Sequence, residues 1–141
     1  MFVFATLLVL LMSAPAIAQR ITSLTTKAQG HGTINISDVD KHTINGVLVI
    51  LKENGEAEIT LYADMQFYGQ GTWSAPEDLS QGIDLKITGG IVSGNANGTG
   101  KLFLRPDRKS IDRLTITATT ADGSKIQLQF TAEEKKTPPQ E

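Results

Sequence analysis

The chain has no cysteine. That removes disulfides, thiolate metal sites, cysteine nucleophiles and lipid attachment at a cysteine, and leaves an apolar core to hold the fold together. It has one tryptophan and two histidines, so a zinc site built from protein alone would need carboxylates to complete it. The formal net charge is only −2 over 141 residues. So mild a balance argues against nucleic acid or an anionic membrane as the main partner. No Gly-x-Ser-x-Gly elbow is present, which removes one common form of serine nucleophile. No stretch carries an apolar stripe at helical spacing over a useful length.

What the chain does have begins with an apolar run. Phe2 to Met12 is followed by Ser13-Ala14-Pro15 and then Ala16-Ile17-Ala18, with small residues at the two positions a signal peptidase requires. The run is shorter than the ~20 residues needed to cross a bilayer. Residues 1–18 therefore read as a secretory signal peptide, with cleavage expected between Ala18 and Gln19 and an exported protein, periplasmic or extracellular, as the product. A small exported domain without disulfides points to a bacterial source. The two Asn-x-Ser/Thr triplets, at Asn35 and Asn97, read as chance matches in a chain rich in those residues.

The remaining 123 residues suit one domain able to bury its own core. They alternate at period 2. Ala57, Ile59 and Leu61 fall on one parity, as do Ile83, Leu85 and Ile87; Leu114, Ile116 and Ala118; and Ile126, Leu128 and Phe130. Polar residues occupy the positions between, the pattern of strands with one face buried and one wet. Val47 to Leu51 is apolar on both parities, so it is expected to be covered on both faces or to lie at an interface. Asn54-Gly55 and Asp122-Gly123 sit between strand patterns as hairpin signals.

These signals predict eight strands, near residues 33–36, 43–52, 56–62, 65–74, 82–88, 98–105, 111–119 and 124–132. The expected fold is an all-β antiparallel meander closed into a small barrel, with a two-sheet sandwich as the alternative, because both bury one face of every strand. Residues 19–32 are expected to form a loosely held lead-in, 33–132 the β-domain, and 133–141 a charged, proline-rich disordered tail.

Candidate sites are few. Gly94 to Lys101 ends in Gly-Thr-Gly-Lys, but the spacing is one residue too long for a phosphate loop, Leu102 replaces the hydroxyl residue, and a strand follows instead of a helix. A long flexible hairpin loop is expected there. His31 and His42, with Asp38 and Asp40 between them, offer metal-ligand chemistry at a spacing that dictates no geometry. The Asp pair also lacks the Gly and Glu of a calcium loop. Glu53, Glu56 and Glu58, or Glu77 with Asp78, read as solvated carboxylates rather than a glycosidase pair. Arg105, Arg108, Lys109 and Arg113 cluster at a turn, with Asp107 and Asp112 offsetting their charge.

Gly71-Thr72-Trp73 resembles the Gly-x-Trp of calycin-type barrels, the lipocalins and avidins, in which the motif marks the first strand and the Trp packs across one end of the barrel. Here it lies in mid-chain, and the additional tryptophans of a biotin pocket are absent, so no ligand residue is carried over. By parity, Trp73 belongs inside with Met65 and Phe67, its indole N–H seeking an acceptor. Gly69 and Gly71 leave space beside those rings, to be filled by neighbouring side chains or by an apolar ligand.

The sequence therefore points to an exported, non-enzymatic β-domain that binds a small apolar ligand or a macromolecular partner. It would do so without a cofactor or metal, and without nucleic acid or a membrane span in the mature chain. Met65, Phe67, Trp73 and Phe130 are the candidate interior ligand residues. The alternatives are a surface-assembly or adhesion subunit using Leu48 and Ile50 as its contact, and a small barrel enzyme in which His31 or His42 takes part.

Overall fold

A computed structural model describes residues 21–37, 40–92 and 95–134. The expected signal peptide and cleavage site lie outside the described residues, as do Asp38 and the tail beyond Glu134. The strands are β1 (Leu24–Ile36), β2 (Asp40–Leu51), β3 (Glu56–Tyr62), β4 (Gln66–Ser74), β5 (Ile83–Gly90), β6 (Asn97–Leu104), β7 (Ile111–Thr119) and β8 (Lys125–Ala132). A 3₁₀ turn at Leu79–Gln81 sits between β4 and β5, its first turn capped by the Asp78 carboxylate. Among the described residues no helix is long and apolar enough to cross a membrane.

Each strand pairs antiparallel with its neighbour in sequence, and β1 also pairs with β8 from Gly30↔Ala132 to Ile36↔Ile126. That last ladder closes the barrel and excludes the sandwich, since closure leaves no free sheet edge. The seam is tight. A Cβ on Gly30 or Gly32 would lie 2.1 or 2.3 Å from a carbonyl oxygen of β8, so only glycine allows the two backbones to approach this closely.

The inner face follows parity. The alternating apolar sets of β3, β5, β7 and β8 are all at most 3 % exposed and belong to one continuous core. The outer face carries Lys27, Glu58, Asp84, Lys86 and Lys101 among hydroxyl and amide residues. That is the reverse of a lipid-facing barrel, whose outside is apolar.

Two expectations change. The first strand begins at Leu24, not residue 33, so most of the expected lead-in is part of the sheet. Its inward positions there are Thr26, Ala28 and Gly30, too small or polar to show an apolar rhythm. Pairing with Leu51 to Gly46 of β2 makes it a strand. At the other end Glu133, expected in the tail, is tied down: its N–H donates to the Gln29 carbonyl at 2.8 Å, and its own carbonyl accepts from the Arg105 guanidinium.

Val47, Val49 and Leu51 are buried, while Leu48 and Ile50 lie half-buried on the outside. Their neighbours there are Lys27 and Thr60, and Thr25 and Glu58. The inward phase of β2 slips from Ile44 to Val47, opposite the irregularity between Gln29 and Gly32 of β1. Both hairpin signals form three-residue loops. Gly55 and Gly123 each adopt φ 90°, and Lys52 and Thr120 each close the loop on a residue four positions ahead.

Candidate functional site

The four interior candidates separate. Phe67 and Phe130 are core residues. Trp73 is partly buried at the barrel end, where its indole N–H donates to the Lys52 carbonyl at 2.8 Å. Met65 is not inside: it lies in the β3–β4 turn and is 55 % exposed. Parity orders side chains only within an extended strand. The backbone here turns through Asp64, whose carboxylate accepts the Met65 N–H at 3.1 Å, before β4 begins at Gln66.

The space beside the rings is filled. A Cβ on Gly69 would meet Ile91 Cγ1 at 3.0 Å, and one on Gly71 would meet the Lys86 carbonyl oxygen at 1.8 Å. Ile91 comes from the segment expected to be a long flexible loop. That segment is short and anchored: Ile91 and Ala96 are buried, the Ile91 N–H donates to the Tyr68 carbonyl at 2.7 Å, and the Ala96 N–H donates to the Gly90 carbonyl at 3.1 Å.

The histidines lie apart in environment. His31 faces solvent, 87 % exposed, 3.4 Å from the Glu133 carboxylate. His42 is held at the barrel end with only 13 % of its side chain exposed. Its Nε2 lies 2.9 Å from Asp40 and its Nδ1 2.9 Å from Asp64, and its ring meets Phe67 edge-on at 5.1 Å. An imidazole bonded to a carboxylate through each nitrogen is satisfied as the doubly protonated cation. The hydrogen bond that His42 donates to Asp64, then the one it donates to Asp40, raises the His42 pKa above 6.5, and the bond from His42 holds Asp64 below 3.8. Among the described residues no cluster of three ligating side chains is arranged to hold a metal.

This bridge ties the start of β2 to the β3–β4 turn and makes stability depend on pH. A raised histidine pKa contributes fully below pH 6.5 and is lost as pH rises through the folded value. A lowered aspartate pKa contributes fully above pH 3.8 and is lost as pH falls through the folded value. Thermal unfolding followed by circular dichroism should therefore show its highest midpoint between those two values. His42→Gln should flatten the alkaline side while an acid side persists, because Asp78 and Asp122 are also held low by hydrogen bonds from Ser80 and Thr120.

The basic cluster does not converge. Arg105 reaches the Glu133 carbonyl, Arg113 stacks on the Phe103 ring at 4.0 Å, and Asp107 accepts the N–H groups of Lys109 and Ser110, each at 2.9 Å. A cavity of about 710 Å³ lies beside it, lined by Lys27, His31, Arg105 and Glu133 among others, with the His31 imidazole 3.4 Å from the Glu133 carboxylate.

Another cavity is a groove of about 720 Å³ on the outside of β4 to β7. Thr72, Lys86, Thr99, Lys101, Thr115 and Thr117 present their side chains to it, and Trp73 and Leu85 also line it. Gly98 and Gly100 contribute only backbone to it, and both lie so close to β7 that a Cβ, on the inner side, would meet its carbonyls at 2.1 and 2.6 Å. Lys101 is drawn to Asp84 at 3.6 Å and to the Gln81 carbonyl at 3.2 Å, which keeps one wall in place. Sequence reasoning missed this groove. The glycines and threonines were visible, but their alignment across four strands depends on register. Comparison with family models, curated proteins and solved structures finds no match.

Proposed function

We propose that this protein is an exported, non-enzymatic binding domain that holds its ligand on the outside of the barrel, in the groove across β4 to β7. The groove itself carries this reading. It has the volume of a small-molecule site, while the spaces beside Gly69 and Gly71 on the inner face are taken by Ile91 and by the backbone of β5. Its lining joins threonine hydroxyls, Lys86, Lys101 and Asp84 to the apolar surface of Trp73 and Leu85, which suits a largely apolar ligand that carries a few polar groups.

Titration of ¹⁵N-labelled protein with water-soluble fragments tests the site. Shifts should cluster on Gly98–Lys101 and Thr115–Thr117. Thr99→Trp, an outward substitution that fills the groove, should weaken binding at least about tenfold, the worth of one or two lost contacts, and leave the unfolding midpoint in place. Shifts centred on Phe67 and Phe130, or no shifts at all, would remove the proposal.

A second reading rests on the outer face of β2 to β4. Leu48 and Ile50 lie there half-buried, and Tyr68 is 50 % exposed. An assembly subunit would use these three side chains as its contact, and concentration-dependent self-association in sedimentation would be its signature.

A further inference from the structure

We infer that Asn54 is a self-modification site: the Gly55 nitrogen closes on the Asn54 side chain, ammonia leaves, and the altered loop loosens its hold on Trp73. This chemistry needs an asparagine followed by a residue with no side chain to obstruct the attack. The chain has three such pairs, Asn45-Gly46, Asn54-Gly55 and Asn97-Gly98. All three asparagines are exposed, so neither the motif nor solvent contact tells them apart. Backbone placement does. Asn45 and Gly46 lie inside β2, where Gly46 stands between Gln29 of β1 and Tyr62 of β3. Asn97 and Gly98 belong to β6, where Gly98 stands between Ile87 of β5 and Ala118 of β7. Ring closure at either pair requires a strand to leave its ladder. Asn54-Gly55 lies in the β2–β3 loop, and a Cβ on Gly55 would meet nothing within 4 Å, so the reacting atoms have room.

The loop also prepares the electrophile. The Glu56 N–H donates to Asn54 Oδ1 at 3.0 Å, which folds the side-chain amide over the Gly55 peptide and draws electron density from Cγ. The same N–H steadies the negative charge that grows on Oδ1 during attack. Gly55 N gives its proton to hydroxide and bonds to Cγ. The Cγ–Nδ2 bond breaks, Nδ2 takes a proton from water and leaves as ammonia, and a five-membered imide remains. Water then opens the imide at one of its two carbonyls, giving aspartate, or isoaspartate with the main chain running through Cβ and Cγ. One bond restrains the attack, since the Gly55 N–H donates to the Lys52 carbonyl at 3.0 Å. The reaction therefore waits on the opening of a short loop, a smaller event than the opening of a ladder. The loop at Asp122-Gly123 does not share this chemistry. Asp122 accepts from the Thr120 hydroxyl and the Ser124 N–H, which keep it an ionised carboxylate and a poor electrophile.

What the reaction alters lies beside it. Two carbonyls of this loop hold Trp73: that of Lys52 accepts the indole N–H at 2.8 Å, and that of Gly55 accepts the Trp73 backbone N–H at 3.0 Å. Isoaspartate inserts a methylene into the main chain between these two acceptors. So short a loop has no slack to absorb it, and both acceptors cannot keep their places. Trp73 lines the groove, so the groove wall loosens at this end. Aspartate keeps the chain length and adds only a negative charge beside Glu53 and Glu56. The site at Asn54 stands whether or not the groove binds a ligand.

Incubation of the full chain in mildly alkaline buffer, followed by peptide mapping with electron-transfer fragmentation, tests the site. In the folded protein Asn54 should convert at least about tenfold faster than Asn45 and Asn97, the ratio that a small difference in opening free energy produces. In urea the three should convert at similar rates. The isoaspartate form, separated by ion exchange, should show red-shifted emission from Trp73, the sole tryptophan, and a lower unfolding midpoint. Asn54→Asp, with its chain length unchanged, should keep the parent emission. Asn54→Gln, whose longer side chain cyclises far more slowly, should keep it through the same incubation. Conversion at Asn45 or Asn97 as fast as at Asn54 in the folded chain, or no conversion at Asn54, overturns the site. The same ratio in urea overturns the role of the fold. An isoaspartate form with unaltered emission and midpoint, or an equal red shift in Asn54→Asp, overturns the link from main-chain length to Trp73.

Discussion

Replacing Gly71 by alanine is expected to destabilise the barrel by about 3 kcal/mol or more, at the upper end of overpacking costs. The added Cβ would sit 1.8 Å from the Lys86 carbonyl oxygen, 2.8 Å from the Lys86 carbonyl carbon and 3.1 Å from the Ile87 Cα. All three are backbone atoms of β5, so no side chain can rotate aside. Relief requires β4 and β5 to move apart where their register already shifts, between Gln70 and Gly71. The unfolding midpoint should fall by roughly 12–24 °C, using about 4–8 °C per kcal/mol for a domain near 100 residues. Gly55→Ala is the contrasting measurement. Its Cβ would meet nothing within 4 Å, and its cost comes from φ 90° alone, about 1–2 kcal/mol. Equal losses at the two sites would show that crowding against β5 is not what glycine relieves at position 71.

Phe130→Ala is expected to cost about 3–5 kcal/mol, the range for deleting a buried aromatic ring. Phe130 is 2 % exposed and stands opposite Gly32 on β1 and Leu114 on β7. Its ring tip lies 2.9 Å from where a Cβ on Gly30 would be. The ring therefore fills room left by the seam glycines, which have no side chains of their own to take its place. Phe130→Leu keeps most of that volume and should cost about 1–2 kcal/mol. Chemical denaturation of the three proteins checks the order. Groove binding by Phe130→Leu should match the unsubstituted chain, since position 130 faces inward and the groove lies outside. A smaller loss in Phe130→Ala than in Phe130→Leu would contradict the seam-filling role.

Much of the fold was legible because parity is a local property. Seven of the eight strands match their expected spans within two or three residues, and the inward sets Ile83–Leu85–Ile87 and Ile126–Leu128–Phe130 are buried as the alternation requires. Parity failed where its physical basis fails. Met65 shares the parity of Phe67 but sits in a turn, where successive side chains no longer alternate across a sheet. The first half of β1 was hidden because its inward residues are Thr26, Ala28 and Gly30, held in place by β2 and β8 rather than by their own apolarity. The groove was illegible for a different reason. Lys86, Thr99 and Thr117 are neighbours only through the registers of β5, β6 and β7, and polar residues on a wet face leave no periodic trace of which ones will align.

By itself the sequence determined that this is an all-β antiparallel chain without cysteine, and which face of most strands turns inward, because the two-residue period of an extended backbone is written into neighbouring positions. The tertiary structure alone decided that the sheet closes as a barrel, that Ile91 fills the space beside Gly69, and that His42 is caught between two aspartates. Each of those depends on residues distant in the chain arriving at the same point, and the pairing that brings them there is set by backbone registers and close glycine contacts that no local pattern encodes.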